Sequence, residues 1–320
     1  MTTIEGRMND KPGTATVTAI ILSYRSRETT ARAVASLYDA HACGLLHCIV
    51  VDNASGDGTV EHIRASFPWV EVIAGSENVG FGRGCNMGLE RVRSPYVLML
   101  NPDAVLPLAD LRVLLSFLER TPLAGMAAPS IRTADGRLQH AGGAPTPWQV
   151  LAQACRPGWL PRDRMPIQPG AAPFRTDWLC GAVVLIRTAM LADIGTFDPR
   201  FFLYFEETDL CRRAVQNGWQ LWAVGRAMAQ HLCGVSARAT GFPLVHGCIA
   251  EHYFRSRFQY FAKYYGLPLS CLTELGELGL MSVVAALRRL AGRDVHNFGV
   301  RLRAPILGFS AWSPIAGRSS

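Results

Sequence analysis

The sequence predicts an α/β protein built on a doubly wound, mainly parallel sheet, with a helical extension at its C-terminal end. Three observations lead there. Hydrophobic residues make up 49% of the 320 residues and charged residues 18%, enough apolar surface for a substantial core and too little charge for global disorder. Over the first 130 residues short apolar runs alternate with amphipathic stretches, the pattern of strand–helix units. Polar and glycine-bearing motifs follow those runs, as ligand-binding loops do at the carboxyl ends of such strands.

Taken in order, Val17–Leu22, Cys48–Val51, Val70–Ala74 and Tyr96–Leu100 are short, largely apolar runs, as expected of strands covered on both faces. Between them Glu28–Tyr38, Thr59–Ser66, Gly82–Arg91 and Ala109–Arg120 are expected to be helices. Residues 142–176 hold seven prolines and four glycines without a period, the composition of a long surface excursion between two halves of one domain. A strand over Trp178–Ile186, a short helix to Ile194 and an acidic, aromatic segment to Gly218 follow. His252–Tyr265 predicts a helix rich in aromatic and basic residues. Leu269–Leu290 predicts another, with apolar positions at Leu272, Leu275, Leu278, Met281, Val284 and Leu287. Residues 1–15 are expected to be a disordered leader outside the fold, 16–250 the main domain, and 251–320 a basic helical extension.

Charge is unevenly spread. The formal net charge is +7, and residues 251–320 hold nine Lys and Arg against four acids, a local excess of five. Such a tail suits an anionic membrane surface or a nucleic acid, but no nucleic-acid-binding motif accompanies it; the plainer alternative is a solvated helical face. The longest uncharged apolar run there, Leu278–Leu287, falls short of the roughly 20 residues a bilayer core requires. The extension is therefore expected to lie on a membrane, pack on the domain or join a second subunit, not to cross. The first residues lack the apolar core of a secretory signal. The nine scattered cysteines suit free thiols in a reducing cytoplasm, and His41, Cys43, His47 and Cys48 lack the paired spacing of a zinc site.

Four segments carry chemistry. In V-V-D-N-A-S-G-D-G-T (residues 50–59) a buried strand ends at Asp52, whose carboxylate can accept the imide N–H of uracil or thymine, a donor cytosine lacks; a loop acid capping the next helix is the competing explanation. In N-V-G-F-G-R-G-C-N-M-G (78–88) the glycine spacing departs from a dinucleotide loop. Its glycines would let the backbone approach a nucleotide, with Arg83 near a phosphate. In V-L-M-L-N-P-D-A (97–104) Asn101 and Asp103 leave a strand two residues apart and can face one cation, although N-P-D is also good turn chemistry. In F-D-P-R-F-F-L-Y-F-E-E-T-D-L (197–210) Glu206, Glu207 and Asp209 emerge from aromatic surroundings as a helix begins. Acids there complement the helix dipole, and desolvation by aromatics would also raise a carboxyl pKa into the range of a general base. His231, in H-L-C-G-V-S, is a candidate third metal ligand.

These segments, together with S-Y-R after the first strand and W-L-C-G-A at 178–182, occur in an order that resembles the family 2 glycosyltransferases of the GT-A fold, especially their bacterial rhamnosyltransferase-like branch. The resemblance covers about residues 17–240. It implies a nucleotide-binding half at about 16–130, to which Ser23, Tyr24, Asp52, Asn78, Gly82, Arg83, Asn86 and Asn101 are assigned. It also implies an acceptor half at about 177–240, with Trp178 and Asp209 on the acceptor side. By the same resemblance Asp52 is the base-recognition acid, Asp103 the metal-binding acid of a D-x-D position, His231 a further ligand and Glu207, with Glu206 beside it, the general base. Two departures stand out. Asn101 replaces the first acid of D-x-D, and Glu207 stands where the family usually has Asp.

The function implied is metal-dependent (Mg²⁺ or Mn²⁺), inverting transfer of a sugar, with L-rhamnose from dTDP-L-rhamnose the leading donor. The acceptor would be a hydroxyl of a glycan or lipid-linked glycan in cell-surface polysaccharide synthesis, met in the cytoplasm or at the inner face of the membrane. Double displacement would need a second carboxylate behind the sugar, and no residue stands out for that part. Two rivals differ in class. A sugar-nucleotide pyrophosphorylase would want a glycine-rich, lysine-bearing loop after the first strand, where this chain has S-Y-R-S-R-E. An inactive sugar-binding module would have no need of Asp103, Glu206, Glu207 and His231 together.

Overall fold

The computed structural model describes residues 15–154, 164–231, 248–292 and 301. The leader up to residue 14, the L-C-G-V-S stretch after His231 and most of the basic tail beyond residue 292 lie outside the described residues. Strands β1 (Val17–Ser23), β2 (Leu46–Asp52), β3 (Glu71–Ala74) and β4 (Tyr96–Leu100) form a parallel block in the order β3-β2-β1-β4. Helices α1 (Arg27–Ser36), α2 (Tyr38–Ala42), α3 (Thr59–Ser66) and α4 (Phe81–Leu89) connect them. Beyond β4 the short strand β5 (Ala104–Val105) leads into α5 (Leu108–Arg120) and β6 (Ala124–Thr133).

The second half makes the sheet mixed. Strand β10 (Val183–Arg187) inserts antiparallel between β4 and β6, and β11 (Gln220–His231) runs parallel to β6 and antiparallel to β5. Along β1 the reason for the unbroken apolar run is visible. Val17, Ala19 and Ile21 enter one core layer, Ile20 and Leu22 the other, because alternate residues of a strand point to opposite faces. Both faces are covered, and the one polar side chain inside the run, Thr18, is satisfied by the Ser94 hydroxyl at 2.7 Å.

Two sequence expectations are corrected here. The excursion at 142–176 is partly regular: β7 (His140–Gly142) pairs with β8 (Arg164–Pro166), α6 (Pro147–Ala154) lies between them, and β9 (Phe174–Thr176) adds to β11. The strand expected at Trp178–Ile186 begins only at Val183. Trp178–Ala182 instead runs across the strand ends, where Gly181 packs on the side chain of Glu207.

After α7 (Thr188–Ile194) and α8 (Glu206–Gln216) come two long helices, α9 (Cys248–Tyr265) and α10 (Leu267–Leu290). α9 is fastened to the segment before α8 by a core of Phe201, Phe205, Tyr260 and Phe261, with Val150 of α6. α10 is 24 residues long and, by length and composition, apolar enough to cross a membrane. Counting only the uncharged run Leu278–Leu287 underestimates it. Glu274 and Glu277, which break the run in sequence, are buried against α9 and do not interrupt the outward face.

Candidate active site

The site forms where β1, β2 and β4 end. Asp52 sits opposite Ser23 in register and is 4% exposed. Its Oδ2 accepts the backbone N–H of Ser55 at 3.0 Å, while Oδ1 is buried without a protein partner. Burying a carboxylate oxygen unpaired is costly, so this oxygen is poised for a donor from outside the chain. The turn around it is held under strain: Arg25 and Ala54 adopt φ of 50° and 59°, a region that costs non-glycine residues of order 1–3 kcal/mol and clusters at functional sites. The Arg25 backbone N–H donates to Ser55 Oγ at 2.9 Å, joining the two turns.

Other residues assigned to the nucleotide side hold the loops in place. Ser23 is fully buried, its Oγ 3.1 Å from Ser26 Oγ and 2.9 Å from Thr30 Oγ1. Tyr24 lies beneath the guanidinium of Arg25. Asn78 Oδ1 accepts from the Gly80 N–H and from Asn53 Nδ2. Asn53, absent from the sequence assignments although it follows Asp52 directly, also accepts the Val79 N–H and donates to the Gly80 carbonyl. This one buried amide ties the β2 and β3 loops together.

The glycines of the 78–88 segment make close approaches to the chain itself. A Cβ on Gly80 (φ 87°) would lie 2.4 Å from the Phe202 carbonyl oxygen, one on Gly84 2.5 Å from Leu22, and one on Gly88 2.9 Å from Ile20. Gly82 faces Phe197 and Glu206. Asn86 spends both ends of its amide on the Phe197 backbone, and Arg83 Nε donates to the Pro199 carbonyl. The motif thus docks α4 on β1 and on the 197–202 segment, which in turn positions the acidic helix.

Asp103 and His231 meet across the sheet edge. The turn Asn101–Ala104 closes with the Ala104 N–H donating to the Asn101 carbonyl, and β5 then pairs Ala104 with His231. His231 Nε2 lies 2.9 Å from Asp103 Oδ1 and 3.4 Å from Asn101 Nδ2, while Nδ1 lies 2.6 Å from the Gln139 amide. Both Asp103 and His231 are largely buried. A hard oxygen and an imidazole nitrogen side by side suit Mg²⁺ or Mn²⁺. Among the described residues no group of three or more His, Cys, Asp or Glu gathers, so protein side chains could fill only part of an octahedral shell. Gln139 carries no signal in the sequence; it becomes visible only when the imidazole is placed.

The acids of α8 separate into different environments. They follow Tyr204 and Phe205, two consecutive non-glycine residues at φ 68° and 70°, a strained turn that the aromatic packing against α9 sustains. Glu206 is 4% exposed with Oε2 lacking a partner. Burial, and then the charge of Glu207, push its carboxyl well above the usual range. Burial also raises Glu207, but the Thr208 hydroxyl and the charge of Arg164 oppose the rise. Trp178 Nε1 donates to Thr208 Oγ1 at 2.9 Å, and that hydroxyl donates its single proton to Glu207 Oε1 at 3.2 Å. The Arg164 guanidinium stacks 4.0 Å over the Trp178 ring. Neither Thr208 nor Arg164 stood out in the sequence.

Asp209 is corrected from the acceptor side to the scaffold. It is fully buried, its carboxylate accepting from Arg213 at 2.8 Å, Lys263 at 2.5 Å and the Tyr264 hydroxyl at 2.7 Å. Lys263 also reaches Asp198 at 2.8 Å. Partial burial works against the Asp198 charge, yet hydrogen bonds from Arg200 and Lys263 hold its carboxyl well below the ordinary range. Two of these bonds fall on Oδ1 and one on Oδ2, which commits the carboxylate to the scaffold.

A mixed, mainly parallel sheet of the GT-A type thus carries an orphaned acid at one strand end, an Asp–His pair at another and a buried pair of carboxyls with raised pKa at the start of α8. The family model described as glycosyl transferase family 2 matches residues 18–186, and the chain belongs to that family. Among its relatives is the N-acetylglucosaminyl-diphospho-decaprenol L-rhamnosyltransferase of Mycobacterium tuberculosis, 27% identical over 190 residues, covering 53% of this chain and 61% of that protein. A rhamnosyltransferase of Escherichia coli is 24% identical over 192 residues, covering 57% of this chain and 72% of that one. The chain thus spans about three fifths of the mycobacterial protein's length.

Among solved structures, the mannosyltransferase of Pyrobaculum calidifontis in complex with GDP-Man and Mn²⁺ superposes with a TM-score of 0.56 at 16% identity, over 90% of this chain and 78% of that one. A GalNAc-T7 structure with UDP, GalNAc and Mn²⁺ gives 0.57 at 14% identity, over 89% of this chain and 56% of that one. At such identities the likeness is one of fold.

Proposed function

We propose that this glycosyltransferase transfers L-rhamnose from dTDP-L-rhamnose to a hydroxyl of a lipid-linked glycan at the inner face of the cell membrane, with inversion at the anomeric carbon and with a divalent cation. The observation that carries the reading is the Asp103–His231 pair, 2.9 Å apart, with Asp103 just past β4, the second strand over from β2, which ends at Asp52. In this reading the imide N–H of thymine satisfies the buried Oδ1 of Asp52. Asp103 and His231, with Asn101 alongside, would hold Mg²⁺ or Mn²⁺ together with donor diphosphate oxygens. The cation would neutralise charge on the departing diphosphate. Gln139, turned so that its carbonyl faces Nδ1, would fix the proton there and leave Nε2 as a ligand.

Glu207 is the base and Glu206 its neutral neighbour. Two adjacent buried carboxyls resist ionising together, and Glu206 is the more deeply desolvated. Thr208 holds one oxygen of Glu207, leaving the other to take the acceptor hydroxyl proton as that oxygen attacks the face opposite the diphosphate. A lipid-linked acceptor fits the name of the mycobacterial relative, which acts on a decaprenol-linked sugar by its description. The reading is tested by thermal shift with nucleotide sugars in the presence of Mg²⁺ or Mn²⁺. Stabilisation by dTDP-L-rhamnose, at about 2.7 kcal/mol when ligand is 100 times its Kd, is expected; a preference for a cytosine donor would refute the role given to Asp52, and a preference for a guanine donor would refute the thymine reading.

A further inference from the structure

We infer that the outward face of α10 is a docking surface for an anionic lipid bilayer. The helix is inverted relative to an ordinary amphipathic helix. Four of its five buried positions are polar, Ser270, Thr273, Glu274 and Glu277, and the fifth is the small Ala285. Its apolar side chains face out, with Leu272 65%, Leu275 54%, Val283 58%, Leu287 60% and Leu290 86% exposed. These five recur at helical spacing along one stripe, on the side opposite the two glutamates.

The inversion has a cause. Arg257 of α9 donates to Glu274 at 3.0 Å and to Glu277 at 2.9 Å, and Arg301 pairs with both acids from the other side. Two cations and two anions close on each other inside the protein. The helix therefore presents no exposed carboxylate; its exposed charges are Arg288 and Arg289 at the C-terminal end. α6 packs against α10 at Gly276 through Leu151 and adds Trp148, 71% exposed, the residue type that favours the boundary between lipid and water. An apolar stripe free of acids, flanked in the last turn by Arg289, complements lipid phosphates over acyl chains.

The helix lies in the interface and does not cross it. At 1.5 Å per residue its 24 residues would reach about 36 Å, long enough to span. Spanning would pull Glu274 and Glu277 away from their arginines and leave two carboxylates in hydrocarbon, which is prohibitive beside surface docking. The proposed lipid-linked acceptor supplies the use for such a surface, and the binding itself needs neither donor nor acceptor.

The full chain, without substrates, is co-sedimented with phosphatidylcholine vesicles with and without phosphatidylglycerol. Binding to the anionic vesicles alone is expected, weakened about tenfold or more by high salt and by the combined variant Leu272→Gln, Leu275→Gln, Leu287→Gln. That variant should retain its circular dichroism and its transfer to a water-soluble acceptor. No binding to either vesicle, equal binding to neutral ones, or binding unchanged in the variant overturns the proposal. So does a chain that is dimeric in solution and becomes monomeric in the variant, which would assign the face to a second copy. Because sedimentation is read without turnover, failure of the rhamnosyl-transfer reading would leave it unaffected.

Discussion

His231 Nε2 stands 2.9 Å from Asp103 Oδ1, although 128 positions separate them in the chain. The pairing of β5 with the last residue of β11 brings them together. Asp103→Ala is expected to abolish Mn²⁺ binding measured by calorimetry in the presence of dTDP. His231→Ala should weaken it by about tenfold or more, the scale of losing one determinant of a metal site. Unchanged Mn²⁺ affinity in both variants would remove the pair from the cation's coordination.

Glu207→Gln should lower kcat by roughly 10²–10⁴, the usual worth of a positioned general base, with donor affinity little altered. Glu206→Gln should act on stability instead. Its folded pKa lies above the unfolded value of 4.5, so the folded state holds the proton more tightly, and stability falls as pH rises above 4.5. The glutamine variant loses that decline. Its melting temperature relative to the parent should therefore rise between pH 5 and pH 8, and a constant difference across that range would contradict the buried, neutral Glu206.

Thr208→Val removes the one side-chain hydrogen bond that Glu207 makes among the described residues. A donor to the carboxylate favours its charged form. The variant should shift the acidic limb of the kcat/KM profile to higher pH, with KM for the donor nearly unchanged. Thr208→Ser should restore the profile. A fall in activity with no displacement of that limb would mean that Thr208 acts through packing alone.

Asp209→Ala should destabilise the fold by about 3–5 kcal/mol, the cost of leaving buried cations unpaired, because Lys263 and Arg213 both lean on this carboxylate. Chemical denaturation measures it. A variant as stable as the parent but impaired in acceptor affinity would return Asp209 to the acceptor side.

What the sequence made legible follows from locality. Asp52, Asp103 and His231 stand at strand ends, and a buried apolar run that stops at a polar residue announces itself. The three acids of α8 look alike in sequence, since any acid in a first helical turn suits the dipole. They differ in their partners: Lys263 and Tyr264, 54 and 55 residues on, claim Asp209, while Thr208, itself held by Trp178, bonds Glu207. The glycines are ambiguous for the same reason. Glycine reports that something comes close, and only the tertiary structure says that it is Phe202, Leu22 and Ile20. α10 is the sharpest case, because an apolar stripe ordinarily faces inward, and its direction here depends on Arg257 and Arg301 drawing the glutamates in.

The account is tested most directly by the anomeric configuration of its product. Purified protein with dTDP-L-rhamnose, Mg²⁺ or Mn²⁺ and an N-acetylglucosaminyl-diphospho-lipid acceptor is expected to form a rhamnosylated lipid. Nuclear magnetic resonance should show its new linkage inverted relative to the donor, and excess EDTA should stop the reaction. Transfer with retained configuration, transfer undiminished in EDTA, or turnover undiminished in Glu207→Gln would contradict it.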